Sequence, residues 1–248
     1  MKNKPIVLAT VYGFFAVLIS SCSNAEDINK LIRKGTAEMY AAQYVEAIND
    51  YSKVIELKPD FDSVYWFRAN VYKLSADYNN ALKDCNKAIE LNPKFVHAYN
   101  SRAIVRGILS DFKGELEDLN KTIELDSTYY KAFYNRGNIW FDRNDFQKAI
   151  EDYTHAIRLK SDYFIAFYNR ANAYDELKKY NEALADYESF FKYRDDSSQV
   201  ELLGEAYFMR ANDKFLLGDF AGACQDWQQS SEHGYTLAHD SIIHNCKK

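Results

Sequence analysis

The sequence predicts an all-α repeat protein, and three observations carry that prediction. The 248 residues include only 9 Gly and 3 Pro, too few turn formers for an all-β chain of many short strands. One string returns at a fixed step of 34 residues: Ile55-Glu56-Leu57, Ile89-Glu90-Leu91, Ile123-Glu124-Leu125 and Ile157-Arg158-Leu159, with Pro59 and Pro93 closing the first two. Aromatic residues make up 16% of the chain, 20 Tyr and 16 Phe against 3 Trp, so rings are required at many equivalent places. With 47% hydrophobic and 27% charged residues, the chain has enough apolar surface to fold. Its net charge of −5 argues against a nucleic-acid partner, which needs a basic surface to displace counterions.

The first element, residues 1–21, is expected to be an address. Lys2 and Lys4 precede an apolar run over 5–19, and Ser20-Ser21-Cys22 follows, the charge, greasy and small-residue order of a secretory signal peptide. The run falls short of the roughly 20 residues that span a hydrocarbon core. Ile19-Ser20-Ser21-Cys22 resembles the lipobox of bacterial lipoproteins. That resemblance implies cleavage before Cys22, a diacyl (palmitate-type) anchor on Cys22, and a lipidated linker over 22–27. Two acyl chains hold a protein on a membrane where one does not. Losing Lys2 and Lys4 makes the mature chain more acidic, so lipid rather than charge would hold it there.

From residue 28 onward the chain is one unit written six times: 28–61, 62–95, 96–129, 130–163, 164–197 and, after six inserted residues, 204–237. Place eight of each unit is small: Gly35, Ala69, Ala103, Gly137, Ala171 and Ala211. Place seventeen is a ring in all six: Tyr44, Tyr78, Phe112, Phe146, Tyr180 and Phe220. Place four is Leu31 and then five rings, Tyr65, Tyr99, Phe133, Phe167 and Tyr207. Place twenty is Ala except at Glu115, where Gly114-Glu115 forecasts looser packing in the third unit.

These places resemble those of the tetratricopeptide repeat, a pair of antiparallel helices, A and B. The resemblance implies a solenoid of six helical hairpins over 28–235, wound as a right-handed superhelix. Neighbouring pairs bury one another, and terminal pairs need caps. Thr236-Leu237-Ala238 through Ile242-Ile243 has helical spacing, so 236–248 is expected to be a capping helix. The polar insertion at Asp195-Asp196-Ser197-Ser198 could bend the array.

Two charged places recur in step. Place seven is Arg68, Arg102, Arg136, Arg170 and Arg210, and place twenty-three in the same units is Asp84, Asp118, Asp152, Asp186 and Asp226, with Asp50 in the first. We expect a ladder of bidentate bonds between helix A and helix B, structural in purpose. Of the other cysteines, Cys85 reads as a small buried hydrophobe. Cys224 and Cys246 flank the Gly234 turn at similar distances, which favours a disulfide in an oxidising envelope.

The family resemblance implies a concave groove lined by helix A. The candidate groove residues are Trp66, Phe67, Asn70, Tyr134, Asn135, Asn138, Phe141, Tyr168, Asn169, Asn172, Phe208 and Asn212, with Asn100 and Ile104 between them. Amides that both donate and accept, set beside rings, suit an extended peptide, although Asn on a solvated wall is also the default. Asn138 and Asn169 match the asparagines of a family clamp for carboxyl termini. Tyr134, Glu205 and Met209 stand where its basic residues belong, so that clamp is not expected. No phosphate loop, metal-ligand spacing or nucleophile triad is visible. The expected protein is therefore a scaffold or adaptor in a bacterial envelope membrane, facing the periplasm or exterior. It is not an enzyme and has no cofactor, metal or nucleic-acid partner. A glycan-binding surface lipoprotein, stacking sugars on Trp66, Tyr134 and Tyr168, is the alternative.

Overall fold

The computed structural model describes residues 25–194 and 200–246; Cys22 and the proposed leader lie outside them, as does the polar stretch over 195–198. Every regular element among the described residues is a helix. We number them α1 (25–40), α2 (Tyr44–Leu57), α3 (Asp62–Leu74), α4 (Tyr78–Leu91), α5 (Val96–Ile108), α6 (Phe112–Leu125), α7 (Tyr130–Asp142), α8 (Phe146–Leu159), α9 (Phe164–Glu176), α10 (Tyr180–Tyr193), α11 (Val200–Leu216), α12 (Phe220–Glu232) and α13 (Leu237–Asn245). Odd-numbered α1 to α11 are the A helices and even-numbered α2 to α12 the B helices. No described helix is long and apolar enough to cross a membrane.

The chain forms two compact units, one reaching to Lys121 and the other starting at Thr122. Within each, hairpin partners pack closely, α3 on α4 and, in the second unit, α7 on α8, α9 on α10 and α11 on α12. A and B helices of consecutive hairpins also meet, as α4 does α5 and α8 does α9. This stacking buries what a lone hairpin would expose. The first unit's core is Ala47, Tyr51, Val54, Val64, Val71 and Ala88. In the second, Phe167, Ala171, Ala183, Tyr187, Phe190 and Ala206 form one cluster.

The corners between A and B helices share one solution. Place fifteen is left-handed in all six units, at Ala42 (φ 57°), Ala76 (60°), Ser110 (63°), Asn144 (59°), Lys178 (57°) and Gly218 (87°). The following N–H reaches back five residues, as Asp77 N to Tyr72 O (2.8 Å) and Asp219 N to Lys214 O (2.8 Å). This Schellman closure satisfies the last carbonyls of helix A. Asp77, Asp145 and Asp219 then cap the next helix, each accepting the N–H three residues on, which offsets the free donors at a helix start.

The third unit is not simply loose. A Cβ at Gly107 would meet the Glu115 carboxylate at 2.5 Å, so the large residue at place twenty sits over a residue without a side chain. Arg106 donates to the Gly114 carbonyl (3.0 Å) and to Asp118 Oδ2 (2.9 Å), tying the corner together. After the insertion, α11 runs 17 residues against 13 for α7 and α9. Its added first turn buries Leu203 beside Phe190.

At the C-terminus α13 lies on α12, burying Ala238 beside Ala211, Ala223 and Trp227. Cys224 and Cys246 are bonded there, Cα–Cα 5.7 Å. Cys85 is fully buried, and burial pushes its thiol up to about 12. It is inert packing rather than a reactive group.

Candidate functional site

The charged places meet across each hairpin. Arg68 Nε and Nη2 donate to Asp84 at 2.7 and 2.8 Å, and Arg102 does the same to Asp118 at 2.8 and 2.7 Å. In the second unit the pairs are Arg136–Asp152, Arg170–Asp186 and Arg210–Asp226, all at 2.7–2.8 Å. In the first hairpin Lys34 replaces Arg and reaches Asp50 at 2.5 Å. The aspartates are 2–6% exposed, so each depends on its partner.

Two further contacts were not read from the sequence. The remaining Arg nitrogen reaches back to place twenty-five of the preceding hairpin: Arg68 Nη1 to Ser52 Oγ (2.8 Å), Arg102 Nη1 to Asn86 Oδ1 (2.8 Å) and Arg170 Nη1 to Thr154 Oγ1 (2.9 Å). One guanidinium thus fastens helix A to its own helix B and to the hairpin before it. Place eleven often adds a donor to the same aspartate, as Trp140 does to Asp152 (3.1 Å) and Lys214 to Asp226 (2.8 Å).

The asparagines of helix A also have internal partners. The Tyr153 hydroxyl donates to Asn138 Oδ1 (2.8 Å), and Trp227 Nε1 donates to Asn212 Oδ1 (3.0 Å). Tyr187's hydroxyl lies 2.7 Å from Asn172 Oδ1 and 2.6 Å from Asp175 Oδ2. In the first hairpin Thr36 and Tyr51 pair in the same way at 3.0 Å. The rule is that place nine answers the polar tip of the ring at place twenty-four. Where that ring is absent the demand lapses: Leu119 is matched by Ile104, and Asn70, opposite Cys85, turns to the Trp66 carbonyl (2.8 Å).

The rings proposed for the groove divide. Tyr168 is 5% exposed, packed on Tyr187 and Phe190, and burial drives its phenol pKa up; it offers a ligand almost nothing. Trp66 is enclosed by Phe67, Phe95 and His97 and donates to Ser101 Oγ (2.8 Å). Phe67 stacks on Tyr51, Phe208 packs on Tyr235, and Tyr134 is raised by burial and takes a bond from Asn169 (3.1 Å). Asn100 is buried, and Asn135 is half-buried.

What is left open lies on α7 and α9. A cavity of about 260 Å³ is lined by Asn138, Phe141, Asp142, Tyr153, Asn169 and Asn172. Asn169 Nδ2 spends both protons, on Tyr134 and on Asn138 Oδ1 (3.0 Å), leaving its carbonyl as an acceptor. Place thirteen is an open row: Tyr40 is 82%, Leu74 51%, Ile108 48% and Leu216 60% exposed, with Asp142 and Glu176 in the same place of the fourth and fifth units.

Beside this face lies an anomaly. Place ten is Ala37, Val71, Val105, Ile139 and Ala173, then Asp213. Asp213 is 3% exposed and faces the carboxyl of Asp175, and among the described residues Asp213 Oδ2 and Asp175 Oδ1 have no hydrogen-bond partner. Burial first, then the neighbouring carboxyl, pushes Asp213 up to about 9, so the pair holds a proton at neutral pH. Among the described residues no group of three or more His, Cys, Asp or Glu is placed to hold a metal ion.

Comparison with known proteins agrees with this geometry. A profile described as TPR repeat matches residues 137–178, and one described as tetratricopeptide repeat matches 62–95 and 165–196. No curated protein matches the sequence. Among solved structures, pilF of Pseudomonas aeruginosa is 14% identical, with TM-score 0.77 over 89% of this chain and 98% of its own. A tetratricopeptide repeat protein from Parabacteroides merdae is 19% identical, with TM-score 0.60 over 86% and 82%. YrrB, described as a TPR protein with an unusual peptide-binding site, is 16% identical, with TM-score 0.63 over 78% and 97%. At such identities the likeness is one of fold.

Proposed function

This chain belongs to the tetratricopeptide-repeat proteins, and from that premise we propose that it is a scaffold or adaptor that binds a protein segment on the A-helix face, held to a bacterial envelope membrane through lipid on Cys22. The fold serves protein–protein scaffolding and is typical of non-catalytic chains. The observation that carries the reading is the division of labour among the repeated residues. Arginine, aspartate and most rings satisfy one another inside the hairpins, whereas the cavity on α7 and α9 keeps polar groups with unused bonding capacity beside the Phe141 ring.

The lipid anchor is supported by the order of residues 2–22 and by the acidic balance, which removes electrostatic attraction to anionic lipid as an alternative. The outer membrane or another envelope membrane is the expected site, with the repeats in the periplasm or at the surface. A glycan ligand is less well supported, because Tyr168 is buried and Trp66 and Tyr134 are occupied by neighbours.

A photocrosslinking residue at Asn138, on the A-helix face, tests the binding reading against one at exposed Glu151 on α8. Protein adducts from position 138 that are absent from 151 are expected; equal labelling from both would overturn it. Radiolabelled palmitate should enter the wild type and not Cys22→Ser, and label retained in the variant would refute the anchor.

A further inference from the structure

The cavity on α7 and α9 has a sign. Asp142 is the last residue of α7 and Glu176 the last of α9, and neither forms an ion pair or hydrogen bond among the described residues. A helix C-terminus already carries partial negative charge on its free carbonyls, so a carboxylate there is locally unfavourable and a cation is favoured. Three of the other A helices follow that preference, with Lys73 in the last turn of α3, Arg106 in that of α5 and Lys214 in that of α11, while α7 and α9, like α1, carry no basic residue there. Place thirteen is apolar in the other four units, Tyr40, Leu74, Ile108 and Leu216, so the two carboxylates are a local departure from the repeat.

We propose that the cavity lined by Asp142, Asn169 and Phe141 receives a basic side chain, lysine or arginine, of the bound protein segment. Asp142 supplies a carboxylate with both oxygens available, and Asn169 contributes the carbonyl left after its two N–H groups are used. The Phe141 ring covers the methylene stem and offers its face to the cation. Glu176, one hairpin further on, extends the same negative row. The proposal rests on the reading of the A-helix face as a protein-binding surface, and it reverses the polarity of a clamp for carboxyl termini.

The test titrates the full-length chain with N-acetyl-lysinamide, N-acetyl-argininamide and, as an uncharged match in length, N-acetyl-norleucinamide, following the side-chain amide resonances of Asn138, Asn169 and Asn172 by NMR. The two cationic probes should shift these resonances to saturation and bind about tenfold more tightly than norleucinamide, the scale of one charge-assisted contact. Asp142→Asn, a change at an exposed helix end, should remove that preference, and Asp142→Glu should restore part of it. No shift with any probe, equal shifts with norleucinamide, or an unchanged preference in Asp142→Asn would overturn the proposal. Those failures leave protein crosslinking from position 138 untouched, so they are distinguishable from failure of the scaffold reading. Cation binding without any protein crosslink would overturn both.

Discussion

At position 137 helix A has no room for a methyl group, because a Cβ there would lie 2.6 Å from the ring of Tyr153, which is itself 1% exposed. The same place in the first unit is easier: a Cβ at Gly35 would stand 3.1 Å from the Tyr51 ring. Gly137→Ala should therefore lower stability by about 1–2 kcal/mol, since overpacking costs roughly 1–3 and the better helix former returns only about 1. Gly35→Ala should come out within about 0.5 kcal/mol of the parent on the same balance, the close approach offsetting the propensity gain. Urea denaturation of both variants checks the pair, and equal losses would contradict it. That place eight is small was legible in the sequence; that its size is set by the ring at place twenty-four was not, because Gly and Ala suit any close helix approach and, unlike Arg facing Asp, do not name their neighbour. The partnership of place nine with that ring was missed for the same reason. An amide paired internally and an amide facing solvent are spelled alike, although the match of Ile104 with Leu119 and of Asn138 with Tyr153 is visible once the two columns are set together.

Between elements, a charged contact is worth little by itself and much once one partner is buried. Burial raises the Asp186 carboxyl even with Arg170 bidentate upon it. Removing the guanidinium by Arg170→Met strands a buried acid and should cost about 3–5 kcal/mol, whereas Arg170→Met with Asp186→Leu should recover most of that. A double-mutant cycle in urea measures the difference; a double variant no better than the single would refute this account of the ladder. The contact between α9 and α11 titrates in the opposite sense to an ion-paired carboxylate. Asp213 is raised in the folded state, so its stabilising share is complete below the unfolded value near 4 and is lost as pH rises towards about 9. Asp213→Asn keeps a donor for Asp175 without an ionisable proton. The variant should gain thermal stability relative to wild type steadily from pH 5 to pH 8, and a gap that stays constant with pH would sink the assignment. Asp213 was available to sequence reading as the one acid in a column of Ala, Val and Ile, but it was overlooked because acids are common on every repeat and only burial makes this one unusual.

For the whole molecule, the 34-residue step carried the helical pairs and the hairpin stacking into view, because independent places repeat together and each reflects a packing requirement. The ligand-binding face was less legible. Phe141 stands at place twelve, which is a ring only there and at Phe215, and Tyr168 at place five, a ring in four of the six units, but residue type alone does not tell that Tyr168 is buried. The account therefore turns on one division: residues that recur in every hairpin build the solenoid, and the departures on α7 and α9 bind. Isothermal titration of the client segment recovered from position-138 crosslinks, carried out well below the melting temperature of each variant, tests that division most directly. It predicts that Arg170→Met keeps the dissociation constant within about twofold while Asn169→Ala, at the centre of the open cavity, weakens it about tenfold or more, as a central contact residue does. Loss of affinity in Arg170→Met with Asn169→Ala unaffected would contradict it.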